Sequence, residues 1–316
     1  MTLVASNPQA IAKPRSDFAR VLDRGFVWLT RLLALAIAAT LIGMILQVFA
    51  ASLPALQRYG LDFITTTNWN PVEEQYGALP QIVGTLLSSL IALLLAVPIG
   101  LGVAIFLSED FLPSQVQMVL VFLVELLAAI PSVVYGLWGI FVLVPLVKVL
   151  ADWLHSQLGW LPLFSTPFAG RGMLPAAVVL AIMVLPTIIA ISRDGISSVP
   201  KDLRQAALGL GATRWEAILL VQLPAAFSGI VGAVMLALGR AMGETMAVTM
   251  LIGNSNQLTA SLLAPANTIS SLLANQFPEA SGLQVSALMY ATLVLFAMTL
   301  LINILAELLV HRVQKI

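Results

Sequence analysis

Apolar positions along this chain come in long unbroken runs rather than in a two- or four-residue rhythm. Six runs, at roughly 29–51, 80–107, 117–147, 174–193, 225–252 and 286–310, are each long enough to cross about 30 Å of hydrocarbon as a helix. They are too long for strands and do not alternate, which argues against a membrane barrel. The pattern predicts an all-α integral membrane protein with six transmembrane helices. Residues 1–28 form a tail, 29–79 the first membrane helix with the loop after it, 80–310 a core of five helices, and 311–316 a second tail. Residues 1–14 read as disordered. Phe18, Val21, Leu22 and Phe26 fit either a short surface helix over 16–28 or an extension of the first membrane helix.

Basic residues orient the bundle. With the N-terminus in the cytoplasm, the inner segments hold Lys13, Arg15, Arg20, Arg24, Arg31, Arg193, Lys201, Arg204, Arg214, Arg312 and Lys315. The outer ones hold only Arg58, Lys148 and Arg171. Both termini are therefore expected inside. The outer segments are 52–79, 148–173 and 253–285. The second carries the interface-seeking Trp153 and Trp160. The third carries Asn254, Asn256, Asn267, Asn275 and Gln276, and any external partner is expected to meet these loops. Of the inner loops, 108–116 is short and 194–224 is long.

Composition agrees: 59% of residues are hydrophobic and 9% charged, against about 25% charged in soluble domains. A net charge of zero leaves no field to attract nucleic acid. The absence of cysteine excludes disulfides and thiol chemistry. His155 and His311 stand alone, so no metal site is expected. No HExxH or G-x-S-x-G pattern supports a membrane-embedded enzyme, so no catalytic residue is assigned.

The loop 194–224 is the most informative stretch outside the membrane. Arg204 to Leu208 favour helix, Gly209 and Gly211 interrupt it, and Trp215, Ile218, Leu219 and Gln222 resume at helical spacing until Pro224. That is a helix–glycine–helix knob whose apolar face wants a groove on a partner. The two glycines lack the spacing and the Gly-Lys-Ser/Thr ending of a phosphate-cradling loop, so the chain has no nucleotide site of its own.

Three ionisable residues stand out inside the runs: Glu125, Arg240 and Glu244. Each costs about 2.5–3.5 kcal/mol at a helix centre and so needs a partner or a wet cavity. In a continuous helix Glu244 lies about 6 Å beyond Arg240 on the same face, close enough to pair. Two acids against one arginine leave a carboxylate to be protonated, solvated or paired across a subunit interface. Gly239 and Gly243 form a GxxxG step suited to close helix packing. Glu125 has no motif around it, and a structural hydrogen bond is the simpler role. Pro98, Pro131, Pro145 and Pro186 are expected to kink their helices.

Gln205-Ala206-Ala207, Gly211, Val221 and Leu223-Pro224 resemble the coupling-loop pattern of ABC-importer permeases, with Gln205 and Val221 in place of the usual Glu and Ile. The run Arg240-Ala-Met-Gly-Glu244-Thr, the stretch Trp69-Asn70-Pro71 with Tyr76-Gly77, and Ala104 to Glu109 resemble the permeases of ABC phosphate importers, of the PstC-like rather than the PstA-like type. The resemblance implies a type I ABC importer permease fold. It also implies a second permease subunit (PstA-like), an ATPase dimer (PstB-like) that binds ATP and Mg, and a periplasmic phosphate-binding protein (PstS-like), in the bacterial inner membrane. This chain itself is expected to bind no cofactor. Within the resemblance, Arg240 and Glu244 belong to the transport path, and Gln205, Ala206, Ala207, Gly211, Leu223 and Pro224 to the ATPase contact. Sulfate or molybdate is the nearest alternative substrate. A proton-coupled secondary transporter would leave the cytoplasmic loop unexplained.

Overall fold

A computed structural model describes residues 17–109 and 111–313. The chain divides into two units, residues 1–50 and 51–316. Helix α1, Asp17–Tyr59, begins in the first and ends in the second. Its portion up to residue 50 is an exposed apolar rod from Leu22 onward. Residues 17–28 continue straight into the predicted membrane run, so this segment is an extension of the membrane helix and not a separate surface helix. The reading of residues 1–14 lies outside the described residues.

In the second unit α1 is followed by a short α2, Asp62–Thr65, and a hairpin of β1, Trp69–Asn70, and β2, Gln75–Tyr76, paired antiparallel with Trp69 opposite Tyr76. The Asn70 carboxamide oxygen accepts the Val72 N–H at 3.0 Å and closes the turn. Two-residue strands are too short for alternation to betray them. The long α3, Leu79–Ser108, comes next.

The third predicted helix, 117–147, is two. Helix α4, Ser114–Ala129, stops at Ile130, whose ψ of 126° is extended, and α5, Ser132–Trp138, restarts after Pro131. The proline ring disfavours the α conformation of the residue before it and removes one N–H. The Leu127 carbonyl, which loses its i+4 donor at Pro131, accepts the Tyr135 hydroxyl at 2.8 Å and the Ile130 N–H at 3.4 Å. Past a π-helical turn, Gly139–Leu143, α6 runs Val144–Leu158, well into what was read as an outer loop.

Helix α7, Met173–Ser197, is followed by α8, Lys201–Gly209, and α9, Arg214–Ala217. A second π turn, Ile218–Gln222, leads to α10, Leu223–Ala225. Pro224 does not end this helix as expected; the path continues to a 69° bend at Ala226 before α11, Phe227–Gly243. Both π turns directly precede a proline, Pro145 and Pro224. In each the closing bond is i→i+5, from Val144 N–H to Gly139 and from Leu223 N–H to Ile218. Widening the turn relieves the clash between the ring and the carbonyl one turn back. The chain ends with α12, Met246–Leu251, α13, Ile269–Gln276, and α14, Leu283–Val313.

Among the described residues, five helical stretches are long and apolar enough to cross a membrane, six when the bent pair 214–243 counts as one. The main core joins α3, α5, α6, α7, α11 and α12 around Leu180, Met183, Ile188 and Leu251. Where α7 meets α11, a Cβ at Gly229 would lie 3.2 Å from Gly195 Cα, so even a methyl group there would be tight. A second core, with Phe63 stacked on Tyr290 at 4.3 Å, gathers α2, the hairpin, α13 and the start of α14.

Candidate functional site

The predicted helix over 225–252 is broken at the charged residues. Glu244 leaves the helix with ψ 127°, and α12 starts two residues later. The break follows from its residues. Gly243 is a poor helix former, the Thr245 hydroxyl donates to the Gly243 carbonyl at 3.1 Å, and Glu244 Oε1 accepts the Ala247 N–H at 3.4 Å. Ending α11 orphans its last carbonyls, and that of Met242 is met by the Ser270 hydroxyl at 3.1 Å. Helix α13 thus props the break.

The expected Arg240–Glu244 pair is therefore not made, because the i,i+4 geometry ends at Gly243. Arg240 Nη1 donates instead to Thr187 Oγ1 on α7 at 3.4 Å. Arg240 also lines a cavity of about 580 Å³ along α11 and α14, with Gly232, Gly239, Asn303 and Glu307. Glu307 is a further acid inside the last apolar run that the sequence reading passed over. Its place, one helical face from Asn303, is the signal that marks it. Among the described residues, nothing lies within 4 Å of a Cβ built at Gly239 or Gly243. The packing expected of them does not occur inside this chain, because their side of α11 faces away from α7. Glu125 is exposed on α4 and shares a narrow cleft with Arg193 of α7.

The polar outer segment 253–285 folds inward rather than lying open. Asn267 is 3% exposed and Gln81 fully buried. Asn256 Oδ1 accepts from Gln81 Nε2 at 2.9 Å and from Asn267 Nδ2 at 2.8 Å. Thr85 Oγ1 accepts the Ile269 N–H at 3.0 Å, and Gly84 has no Cβ because the Asn267 carbonyl would lie 1.9 Å from it. These amides hold α13 against α3.

The knob is built as a cap back to back with another. Helix α8 ends in a left-handed turn: Gly211 has φ +93°, its N–H bonds the Leu208 carbonyl at 3.0 Å, and the Ala212 N–H bonds Ala207 at 3.1 Å. That 6→1 and 5→2 pair is the Schellman arrangement. Thr213 then caps α9. Its hydroxyl accepts the Glu216 N–H at 3.3 Å, and Glu216 Oε2 accepts the Thr213 N–H at 2.7 Å. The backbone and hydroxyl bonds from Thr213 hold the Glu216 carboxyl below its ordinary pKa. Gln205 and Ala206 are exposed on α8, Ala207 is half-buried, and Leu203, Leu208, Leu210 and Trp215 present apolar surface. Leu223 and Pro224 lie behind them at the root of α11. Among the described residues, no group of three His, Cys, Asp or Glu side chains gathers as a metal set.

Membrane-length helices, an arginine-bearing cavity beside a helix break and a knob with an uncovered apolar face are features of a transport permease. A family model described as binding-protein-dependent transport system inner membrane component matches residues 96–315, and the chain belongs to that family. The relatives are more particular. The phosphate transport system permease protein PstC of Mesorhizobium japonicum is 45% identical, over 90% of this chain and 89% of that protein. Its namesake from Haemophilus influenzae is also 45% identical, over 90% and 92%. The probable phosphate transport system permease protein PstC of Methanocaldococcus jannaschii is 39% identical, over 81% and 83%. Among solved structures, a chain of a bacterial alginate ABC transporter in complex with an alginate pentasaccharide-bound periplasmic protein superposes with a TM-score of 0.61. It is 18% identical, over 93% of this chain and 97% of that one. A chain of the inward-facing MetNI methionine ABC transporter gives 0.55 at 17% identity, over 74% and 95%. Both have the same fold. The chain is thus a multi-pass inner-membrane permease of the ABC-importer type, which works with a separate ATPase and an external binding protein.

Proposed function

We propose that this chain is the PstC-like permease subunit of an ATP-driven inorganic phosphate importer and forms half of the translocation path against a PstA-like subunit. The observation that carries the substrate is the identity, approaching half of all positions across nine-tenths of the chain, with proteins named for phosphate transport. The chemistry of the site supports it. Phosphate accepts charge-assisted hydrogen bonds, and the planar guanidinium of Arg240, in a cavity on the open side of α11, suits a tetrahedral oxyanion. Glu244, and Glu125 nearer the knob, are the carboxylates available to answer Arg240 or a partner arginine as the path opens and closes. Gly239 and Gly243 supply the close approach for the second permease subunit.

The knob is the ATPase contact. Gln205, Ala206 and Ala207 lie on the docking helix α8, Gly211 shapes its end, and Leu223 and Pro224 link it to α11. ATP and Mg are bound by the PstB-like ATPase dimer and no cofactor by this chain, which is not itself an enzyme. A PstS-like binding protein delivers phosphate outside, and both termini lie in the cytoplasm. Alternating access follows as rigid-body tilting of the two permease cores.

The test is radiolabelled phosphate uptake in phosphate-starved cells that express this chain as their sole copy. Arg240→Ala should lower uptake about tenfold or more with the complex still assembled, since one hydrogen bond to a charged group is worth roughly 1.5–3 kcal/mol. Excess sulfate or molybdate should leave native uptake unchanged. Inhibition by either anion would overturn the substrate, and full uptake by Arg240→Ala would remove that residue from the path.

A further inference from the structure

The short loop between α3 and α4 drew no role from the sequence, yet it is bound to the knob at two points. Glu109 caps the end of α3, is 3% exposed, and holds Arg204 of α8 at 2.6 Å. Phe111 lies between Phe106 of α3, stacked at 5.9 Å, and Trp215 of α9, also at 5.9 Å. The loop's far end is tied down as well. The Gln117 side chain of α4 donates to the Leu107 carbonyl of α3. Glu109 and Phe111 therefore bridge the end of a core helix to both helices of the knob.

What lies beneath α8 makes these ties matter. Helix α8 has no buried residue, and a cavity of about 600 Å³, lined in part by Ser108, Ser197, Lys201 and Gln222, separates it from the ends of α3 and α7. The main packing of α8 is on the π turn Ile218–Gln222 and on α9, and toward α3 and α7 it rests on this cavity, so it transmits little to them directly. Its displacement would be absorbed there unless something stiff crossed the gap. A buried carboxylate held by a guanidinium is stiff in this sense, because separating the pair strands a charge in a low-dielectric site. The aromatic contact adds a second point, so α8 and α9 cannot pivot about the first.

We propose that Glu109 and Phe111 form a positioning element for coupling. They clamp the knob to α3, so that movement imposed on α8 and α9 is delivered to the α3–α7 core and not lost in the cavity. This rests on the reading above that a separate ATPase docks on the knob. The clamp acts through Arg204 and Trp215 and touches neither substrate nor nucleotide.

The experiment uses the complete complex in proteoliposomes, with ATP hydrolysis and phosphate uptake followed in the same vesicles. Glu109→Gln and Phe111→Ala should each hydrolyse ATP within about twofold of the native complex while uptake per ATP falls about fivefold or more, the usual scale of a lost coupling energy. Arg204→Lys, which keeps the charge, should lose less. An unchanged ratio in the variants overturns the proposal. If Glu109→Gln fails to assemble, Phe111→Ala decides alone. Because the chain has no cysteine, Phe111→Cys with Trp215→Cys can be joined selectively by a short bifunctional thiol reagent. ATP turnover equal to that of the same double variant before joining is expected of two parts that move as one. Arrest would mean that they must separate, which also overturns the clamp. This arm reads hydrolysis alone. A native complex that hydrolyses ATP but takes up no phosphate therefore defeats the substrate assignment while the clamp is still decided.

Discussion

Gly211 shows how one residue can shape the surface of the knob. At φ +93° it sits where an L side chain costs about 1–3 kcal/mol, and its turn sets where Trp215 stands relative to α8. Gly211→Asn, which tolerates the left-handed region, should keep most ATPase binding, and Gly211→Val should lose it. Co-purification of the ATPase at increasing salt measures the order, and equal retention by the two variants would mean that the turn is not what shapes the contact. Glu216 makes a pH-dependent case. Its folded pKa is depressed by the Thr213 bonds, so its contribution is fully present above the unfolded pKa and is lost as pH falls through the folded value. Glu216→Gln should therefore speed hydrogen exchange in α9 at neutral pH. Native and variant should converge in acid, below the folded value. Thr213-Arg-Trp-Glu216 is a capping-box pattern that could have been read from the sequence. Apolar spacing alone starts this helix at Trp215, whereas the cap starts it at Arg214.

At the scale of elements, proline behaves in three ways here, and packing decides which. Pro98 and Pro186 lie inside continuous α3 and α7. Pro145 and Pro224 follow π turns. Pro131 parts α4 from α5. The most apolar window of α7 is 61% buried and α3 packs along it, whereas α4 has no buried residue. Where neighbours hold a helix on both sides, it tolerates the lost hydrogen bond; where they do not, it separates. Hydropathy runs through all these positions unchanged, which is why the helices were legible as apolar stretches and their breaks were not. The break at Glu244 was the costlier omission, since it turned an expected ion pair into a capped helix end. Its support gives a sharp test. Ser270→Ala strips the Met242 carbonyl of its donor and should cost about 1 kcal/mol. In the purified subunit this would appear as a lower thermal midpoint, and in vesicles as reduced uptake with Arg240 intact. An unchanged midpoint would show that the break holds without α13.

For the whole molecule, the long-range folds were the part no local pattern announced. Residues 253–285 read as a polar outer loop because asparagine and glutamine recur there, yet Gln81 and Asn267 both donate to Asn256 and bury the segment against α3. Their partners are up to 175 residues apart, beyond any window of the sequence. The small-residue surfaces divide in the same way. Gly195 and Gly229 carry no motif but meet inside the chain, whereas the GxxxG of Gly239 and Gly243 meets nothing in it. Leucine at one surface or the other therefore should have opposite consequences. Gly229→Leu forces α7 and α11 apart and should destabilise the isolated subunit by about 1–3 kcal/mol, the usual scale of overpacking. Gly239→Leu has open space before it, so the isolated subunit should melt as the native one does. If that face is where the second permease subunit approaches, Gly239→Leu should instead abolish its co-purification. A Gly239→Leu subunit that assembles normally would place the subunit contact elsewhere. It would also leave the Arg240 cavity as a recess open to lipid, and the case for a path along α11 would fall with it.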